Sequence, residues 1–331
     1  MAATMQAVLI TEPGAPDVLR LGEVDRPDPG PGEVRVQVST SGVNRADLLQ
    51  RRGRYPVPDG WPEEIPGLEF SGTVQALGKG VGGWAEGDRV MGIVGGGGYA
   101  ESVVTPASTL VPIPENLTFE EAGAVPEVFL TAYDAIRLHE GLAEGETLLV
   151  HAVGSGVGTA ALQMARAWGC RVIGTSRTPE KLERARELGL DEAVVGGADS
   201  DWADQVLERT QGRGVDVILD LVGGAYLAGN QRVLAQRGRH IVVGVPSGPQ
   251  AEIDLRALMS ARGSIRGTVL RARSTEEKAE LVRAFSDEVV PMLVDGRVRP
   301  VVDSILPAAE AAEAHRRVAS NETFGVVLLR W

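Results

Sequence analysis

Hydrophobic and polar positions divide the chain into two unlike stretches. Over the first third, short apolar runs at 6–10, 19–24, 33–39, 70–77, 89–93 and 99–105 are punctuated by Gly and Pro, as in Pro29-Gly30-Pro31-Gly32. Such runs between turn residues predict the strands of a compact β-rich domain. One short helix is expected near 45–51. From Thr118 the pattern changes. A helical run at 120–138 leads into strands at 147–152, 171–175, 193–195, 215–221, 240–245 and 264–270, alternating with helices at 157–168, 179–188, 202–209 and 225–235. Six apolar strands alternating with helices predict a parallel sheet covered on both faces, the strand count of a full dinucleotide-binding sheet. A charged helix at 275–294 and a strand at 325–329 follow, and this tail is expected to return to the first domain. The domains expected are 1–122, 123–264 and a returning 265–331.

The most informative stretch is 148–181, LLVHAVGSGVGTAALQMARAWGCRVIGTSRTPEK. It reads as an apolar strand, a glycine turn, an amphipathic helix and a second strand. Such a unit lays a pyrophosphate on a helix N-terminus, where backbone N–H groups and the dipole favour anions. Strict G-x-G-x-x-G spacing is not met, because Gly154-Ser155-Gly156 is followed by Gly158 one position early. Ala152, Ser155 and Gly158 fit A-x-x-S-x-x-G instead. A structural strand–helix turn is the competing reading. Where an NAD site usually carries Asp or Glu for the ribose 2′-hydroxyl, this chain has Thr175, Ser176 and Arg177, with Lys181 one turn on. Cations and hydroxyl donors suit a 2′-phosphate, so NADPH is the expected cofactor. The next helix is well specified: Thr178 can cap it, Pro179 suits its first turn, Gly189 can end it, and Leu182, Ala185 and Leu188 would face the sheet.

Composition narrows the partners. The chain has 331 residues, 43% apolar and 24% charged, with a formal net charge of −12. That acidity argues against duplex nucleic acid or an anionic membrane as the main partner. Cys170 is the single cysteine, excluding an intrachain disulfide and a cysteine-based zinc site, and it reads as a buried, inert thiol. No signal peptide or membrane-length apolar run is evident, so a cytoplasmic location is expected.

The segments 44–56 (NRADLLQRRGRYP), 67–72 (GLEFSG), 126–136 (PEVFLTAYDAI), 151–169 and 263–273 (GSIRGTVLRAR) together carry a family. They resemble the zinc-free quinone oxidoreductases of the medium-chain dehydrogenase/reductase superfamily. In motif the chain is nearest the tumour-suppressor-induced quinone reductase branch, with zeta-crystallin more distant. The resemblance covers nearly the whole chain in order. It implies an α/β fold in which a Rossmann doubly wound parallel sheet is inserted into a discontinuous GroES-like β-barrel domain. It also implies an active site in the cleft between the domains, and homodimers that pair the last Rossmann strand. Zinc relatives use a cysteine where Asn44 stands and Gly-His-Glu where this chain has Gly67-Leu68-Glu69. None of His139, His151, His240 and His315 has ligand-like spacing to another, so no metal is expected.

The resemblance gives Asn44, Tyr55 and Ser155 as the candidate catalytic residues. Asn44 would face the nicotinamide or the acceptor carbonyl, or cap the helix after it. Tyr55 would line the acceptor pocket, or be a surface aromatic before Pro56. Ser155 would position the cofactor, or be a small residue tolerated in a tight turn. The cofactor-binding set is Thr131, Ser155, Gly156, Val157, Ser176, Arg177, Lys181, Gly223, Gly244, Val245 and Leu270. Thr131 would bond the carboxamide or its own helix backbone, and Lys181 the 2′-phosphate or only solvent. His151 reads as a satisfied core imidazole. Related enzymes often carry a tyrosine where this chain has Gly196-Gly197, and Gly-Lys-Ile/Val where it has Gly325-Val326-Val327, which puts more weight on Arg177 and Lys181. The expected activity is hydride transfer from NADPH to a quinone or similar conjugated carbonyl, with protons from solvent because no side-chain acid is obvious. The alternatives are an alkenal or enoyl-thioester reductase and a non-catalytic, crystallin-like NADPH-binding protein.

Overall fold

The computed structural model describes residues 3–197 and 200–331. The chain forms two compact units, one of Met1–Leu130, Leu270–Val294 and Pro300–Trp331, the other of Thr131–Val269 with Asp295–Arg299.

In the first unit, β1 (Thr4–Ile10) and β2 (Leu19–Asp25) form an antiparallel hairpin. A larger sheet follows from β3 (Glu33–Val43), β4 (Glu69–Leu77), β5 (Arg89–Ile93), β6 (Ser102–Pro106) and β7 (Leu110–Pro112). The second unit supplies β8 (Thr147–Val150), β9 (Arg171–Ser176), β10 (Glu192–Val195), β11 (Val215–Asp220), β12 (Leu234–Val242) and β13 (Ser264–Gly267). The chain then returns to the first unit with β14 (Val302–Pro307) and β15 (Val326–Arg330), giving the order β14-β15-β3-β4-β5-β7, with β6 also on β3. Chain-end strands therefore complete a sheet begun by residues near 33. Val34, Val36, Phe70, Val74 and Val90 fill its core, and Met5, Val8, Ala311, Ala314, Val327 and Leu329 share a second cluster.

The second unit is the doubly wound sheet, in the order β10-β9-β8-β11-β12-β13, every pair parallel. Strand order reverses around β8, so the loops after β8, β9, β11 and β12 share one edge, where this architecture binds ligands. Among the described residues no helix is long and apolar enough to cross a membrane.

Several elements depart from the sequence pattern. The helix expected at 120–138 is Phe119–Gly123, then Pro126–Tyr133, with a π-helical stretch at Asp134–His139. Pro126 has no N–H to offer the preceding turn, so a new helix starts there. The sixth strand stops at Gly267, short of Leu270. The fifth begins at Leu234, six positions before the expected His240. Thr178 precedes the Pro179–Glu187 helix but its side chain makes no capping bond; its N–H donates to Ser176 Oγ at 3.1 Å. Pro179 and Gly189 act as expected, the glycine at φ +95°.

Candidate active site

The nucleotide edge of the second unit is built on close backbone approach. Ala152 turns the chain out of β8 with φ +50°, and Ser155 caps the Gly156–Ala167 helix by accepting the Gly158 N–H on Oγ at 3.1 Å. A Cβ on Gly158 would lie 2.6 Å from the Ala152 carbonyl oxygen and 2.8 Å from Val153 Cα, so only glycine lets the helix sit this near the strand. The N–H groups of Gly156 and Val157, in the first turn, have no intrahelical acceptor and can meet an anion.

At the end of β9 Ser176 is buried, Arg177 exposed and Lys181 half-buried on the following helix. Arg177 is near enough to Tyr226 to oppose the rise that burial imposes on that phenol. Tyr226 also borders the departure at Gly196, where a Cβ would lie 3.4 Å from its hydroxyl. The edge continues at Gly223, which has φ +89° and donates its N–H to Asp220 Oδ1 at 2.8 Å. A Cβ there would meet Val245 Cα at 2.7 Å, so the two loops carrying Gly223 and Val245 touch. Gly244 and Val245 line a concavity of about 350 Å³ with Gly267, Thr268 and Val269. Thr131 is buried in the Pro126–Tyr133 helix.

His151 is a core residue. Its Nδ1 lies 2.9 Å from Thr175 Oγ1 and its Nε2 2.6 Å from Asn230 Oδ1, with the imidazole at a steep angle to the mutually stacked rings of Trp202 and Tyr226. Burial lowers its pKa to about 4, which keeps the imidazole neutral. Cys170 is buried too, and burial raises its thiol to about 11.

The first unit gathers Asn44 and Tyr55 with charged groups that the sequence did not single out. Asn44 stands at the N-cap of the Arg45–Arg51 helix, where its N–H donates to Asp47 Oδ2 at 2.8 Å. Its amide turns the other way and donates to Glu69 Oε1, also at 2.8 Å. The other Glu69 oxygen accepts the Glu127 N–H at 2.8 Å. Gly42 on β3 leaves room for this carboxyl, since a Cβ there would lie 2.0 Å from Oε1. Asp47 Oδ2 also accepts from the Tyr99 hydroxyl at 2.9 Å, and that hydroxyl lies 3.3 Å from His315 Nε2. His315 Nδ1 is 3.0 Å from Arg51 Nη1.

Three carboxyls thus share one buried neighbourhood. Burial raises Asp47 to about 6, Glu127 to about 7 and Glu69 to about 8. Asp47 adds to the rise at Glu127, while Lys278 and Arg271 oppose it. Where no acid was obvious from sequence, the structure puts Glu127 and Asp47 near enough to Tyr55 to add to the rise that burial imposes on its phenol. Arg271 is packed against the same residues: its Nε donates to Gly95 O at 2.8 Å, its Nη2 to Gln50 Oε1 at 2.6 Å, and its Cζ lies 5.0 Å from the centre of the Tyr55 ring. Leu270, before it, is buried.

Some of this was visible beforehand. Asn-x-x-Asp at 44–47 is helix-start spacing, and Glu69 is a lone carboxylate in an apolar run. Glu127, Arg271 and Lys278 look like surface charges, and only tertiary packing brings them together.

A zinc ion does not fit the donors present. Asn44 spends its amide on Glu69, Leu68 offers no donor, and among the described residues no group of three or more His, Cys, Asp or Glu is arranged to hold a metal.

Comparison with known proteins agrees with the architecture. Residues 30–115 match the alcohol dehydrogenase GroES-like domain, and 156–287 match the zinc-binding dehydrogenase family. A quinone oxidoreductase of Pseudomonas aeruginosa is 35% identical over 96% of each chain. A mycobacterial protein solved in complex with NADPH superposes with a TM-score of 0.89 at 32% identity, over 99% of this chain and 100% of that one. An NAD-dependent alcohol dehydrogenase superposes at 0.88 and 34%, over 99% and 100%. With its GroES-like sheet, its inserted doubly wound sheet and full-length relatives at this identity, the chain belongs to the medium-chain dehydrogenase/reductase superfamily.

Proposed function

We propose that this protein is an NADPH-dependent reductase that passes hydride to quinones or similarly electrophilic conjugated carbonyls without a metal. The observation that carries the reading is the end of β9. Ser176, Arg177 and Lys181 stand where an NAD site keeps a carboxylate, and the next acid along the chain, Glu180, is exposed on the first turn of the following helix. The cofactor fits the edge described above: Gly156 and Val157 N–H groups for the pyrophosphate, the cations for the 2′-phosphate, and the Gly223 and Gly244-Val245 loops along its length. Bound reduced nicotinamide supplies the hydride. The chain's own residues would orient and desolvate the acceptor: Tyr55 offers an aromatic face, Asp47 and Glu127 set the local charge, and Asn44 is held by its bond to Glu69. An acceptor already short of electrons needs no Lewis acid, in keeping with a donor set that does not suit zinc. Motif likeness to the tumour-suppressor-induced branch and the quinone oxidoreductase relative both favour quinones over alcohols as substrates.

The test is an oxidation screen with NADPH and NADH in parallel over para-quinones, ortho-quinones, alkenals and an enoyl thioester. Turnover of quinones with NADPH is expected. Lys181→Ala should raise the KM for NADPH several-fold and that for NADH little, the signature of a lost charge-assisted phosphate contact. Equal effects on the two cofactors overturn the 2′-phosphate assignment. Turnover confined to the thioester overturns the quinone reading.

A further inference from the structure

One buried guanidinium in the first unit has a donor with nothing to bond. Arg271 is only 4% exposed. Nε and Nη2 are bonded to Gly95 O and Gln50 Oε1, but Nη1 is buried with no partner among the described residues. An unmade hydrogen bond on a buried charged group costs about 1–3 kcal/mol or more, so native structures keep few of them. The two bonds that are made hold the planar fork in one orientation. Gln50 is itself fixed through Nε2 to Glu63 O at 3.0 Å, and Lys278 Nζ donates to Arg271 O at 2.8 Å. The aim of Nη1 is therefore set before any ligand arrives. Asp47, Glu127, Tyr55 and Lys278 supply the surrounding charge, and none of them takes this hydrogen. The guanidinium carbon lies over the Tyr55 ring, 5.0 Å from its centre, so an aromatic side chain adjoins the donor.

We propose that Arg271 is a catalytic residue whose Nη1–H donates to the carbonyl oxygen of the acceptor and stabilises the oxyanion formed there on reduction. This rests on the reading of the chain as a reductase of conjugated carbonyls. In the step, an acceptor carbon forms a C–H bond with hydride from the reduced nicotinamide, which is oxidised. The displaced π pair moves through the conjugated system onto the carbonyl oxygen, leaving an enolate with one negative charge. A proton from water completes the two-electron reduction, and in a quinone tautomerisation through solvent then moves a proton from the carbon that took hydride to the second oxygen, giving the quinol. A charged donor fixed in a water-poor site stabilises that anion more than the neutral carbonyl, as catalysis requires.

The cofactor-free protein can be titrated with para-nitrophenol, whose phenolate mimics the anionic oxygen and absorbs differently from the phenol. Wild type should bind the phenolate preferentially and lower its apparent pKa by about one unit, a tenfold preference. Arg271→Gln, checked for folding by circular dichroism, should lose that shift, and Arg271→Lys, which keeps the charge but not the fork, should lose most of it. With NADPH and a quinone, Arg271→Gln should lower kcat about 100-fold, the scale for losing one oxyanion donor. Arg271→Ala should recover part of that rate with added ethylguanidinium, which a merely structural arginine would not allow. No phenolate preference in wild type, or an equal preference in Arg271→Gln, overturns the proposal. A wild-type shift without quinone turnover supports the oxyanion site and overturns the quinone reductase reading instead.

Discussion

Glu69 is pulled two ways. The N–H groups of Asn44 and Glu127 favour its carboxylate, while complete burial favours the acid, and burial prevails at about 8. Because the folded value lies above the ordinary 4.5, the folded state holds this proton more tightly than the unfolded chain. The stability it contributes is present below about 4.5 and is lost as pH rises through about 8. His151 and His315 act in the opposite sense. Burial lowers them from 6.5 to about 4 and about 3, so their contribution is present above 6.5 and is lost as pH falls through those values. Glu69→Gln keeps the shape, and the Asn44 amide can flip to meet the new NH₂ group. The variant should therefore lose less stability than wild type between about pH 6 and pH 8.5, read as melting temperature across that range. Parallel declines in the two proteins would show that Glu69 does not carry the alkaline loss. Gly42→Ala should act on the same carboxyl sterically, costing about 1–3 kcal/mol in a denaturant titration by displacing Oε1.

The Gly156–Ala167 helix separates two roles of Ser155, as a cap and as a neighbour of phosphate. Its hydroxyl accepts the Gly158 N–H, so Ser155→Ala should cost about 1 kcal/mol of stability. Aspartate caps as well as serine but brings a negative charge to the first turn. Ser155→Asp should hold the wild-type melting temperature while weakening NADPH binding at least tenfold, about 1.4 kcal/mol, measured by nucleotide fluorescence. Unchanged affinity would remove the pyrophosphate from this helix end. This helix was legible because its strand, turn and apolar face are local. The Ala311–Ser320 helix was not read from the pattern, because it buries Ala311, Ala314, His315 and Val318, a helical spacing written in small residues and a histidine. β14 was missed because most of its positions are half-exposed, and β12 began early because its first turns carry Gln236 and Arg237, the latter at φ +62°. The candidate residues of each unit show the same division. Asn44, Ser155, Gly223 and Arg177 lie beside turns that local spacing reveals. Glu127 and Arg271 are placed by contacts with Glu69, 58 positions away, and with Gln50, 221 positions away, where a sequence read by period carries no signal.

The second unit ends its sheet on β13, which among the described residues pairs on one side only, with β12. Its positions are mostly exposed. An open strand edge carries free N–H and C=O groups that invite another strand. The preceding helix presents Leu255 at 66% and Met259 at 76% exposure, with Ile253 and Val269 also exposed. Large apolar side chains are exposed elsewhere too, but Leu255 and Met259 are the most exposed of those among the described residues, and such a group bared on one segment is what a contact surface would present. The homodimer that the family resemblance implies would set this edge against its own counterpart across a two-fold axis, with the apolar side chains meeting their copies, the isologous contact of most dimers. The double variant Leu255→Asp with Met259→Asp tests this at little risk to the fold, since changes at exposed positions stay within about 0.5 kcal/mol. Wild type should run as a dimer by light scattering and the double variant as a monomer with an unchanged melting curve at high dilution. A wild-type monomer, or a variant that still dimerises, would show that these side chains serve no such contact. The separation would also show whether NADPH affinity depends on assembly, because Val269 lines the concavity that holds Gly244 and Val245. Pairing at β13 should stiffen that wall, so the monomeric variant is expected to bind NADPH more weakly although neither substituted residue lies in the concavity.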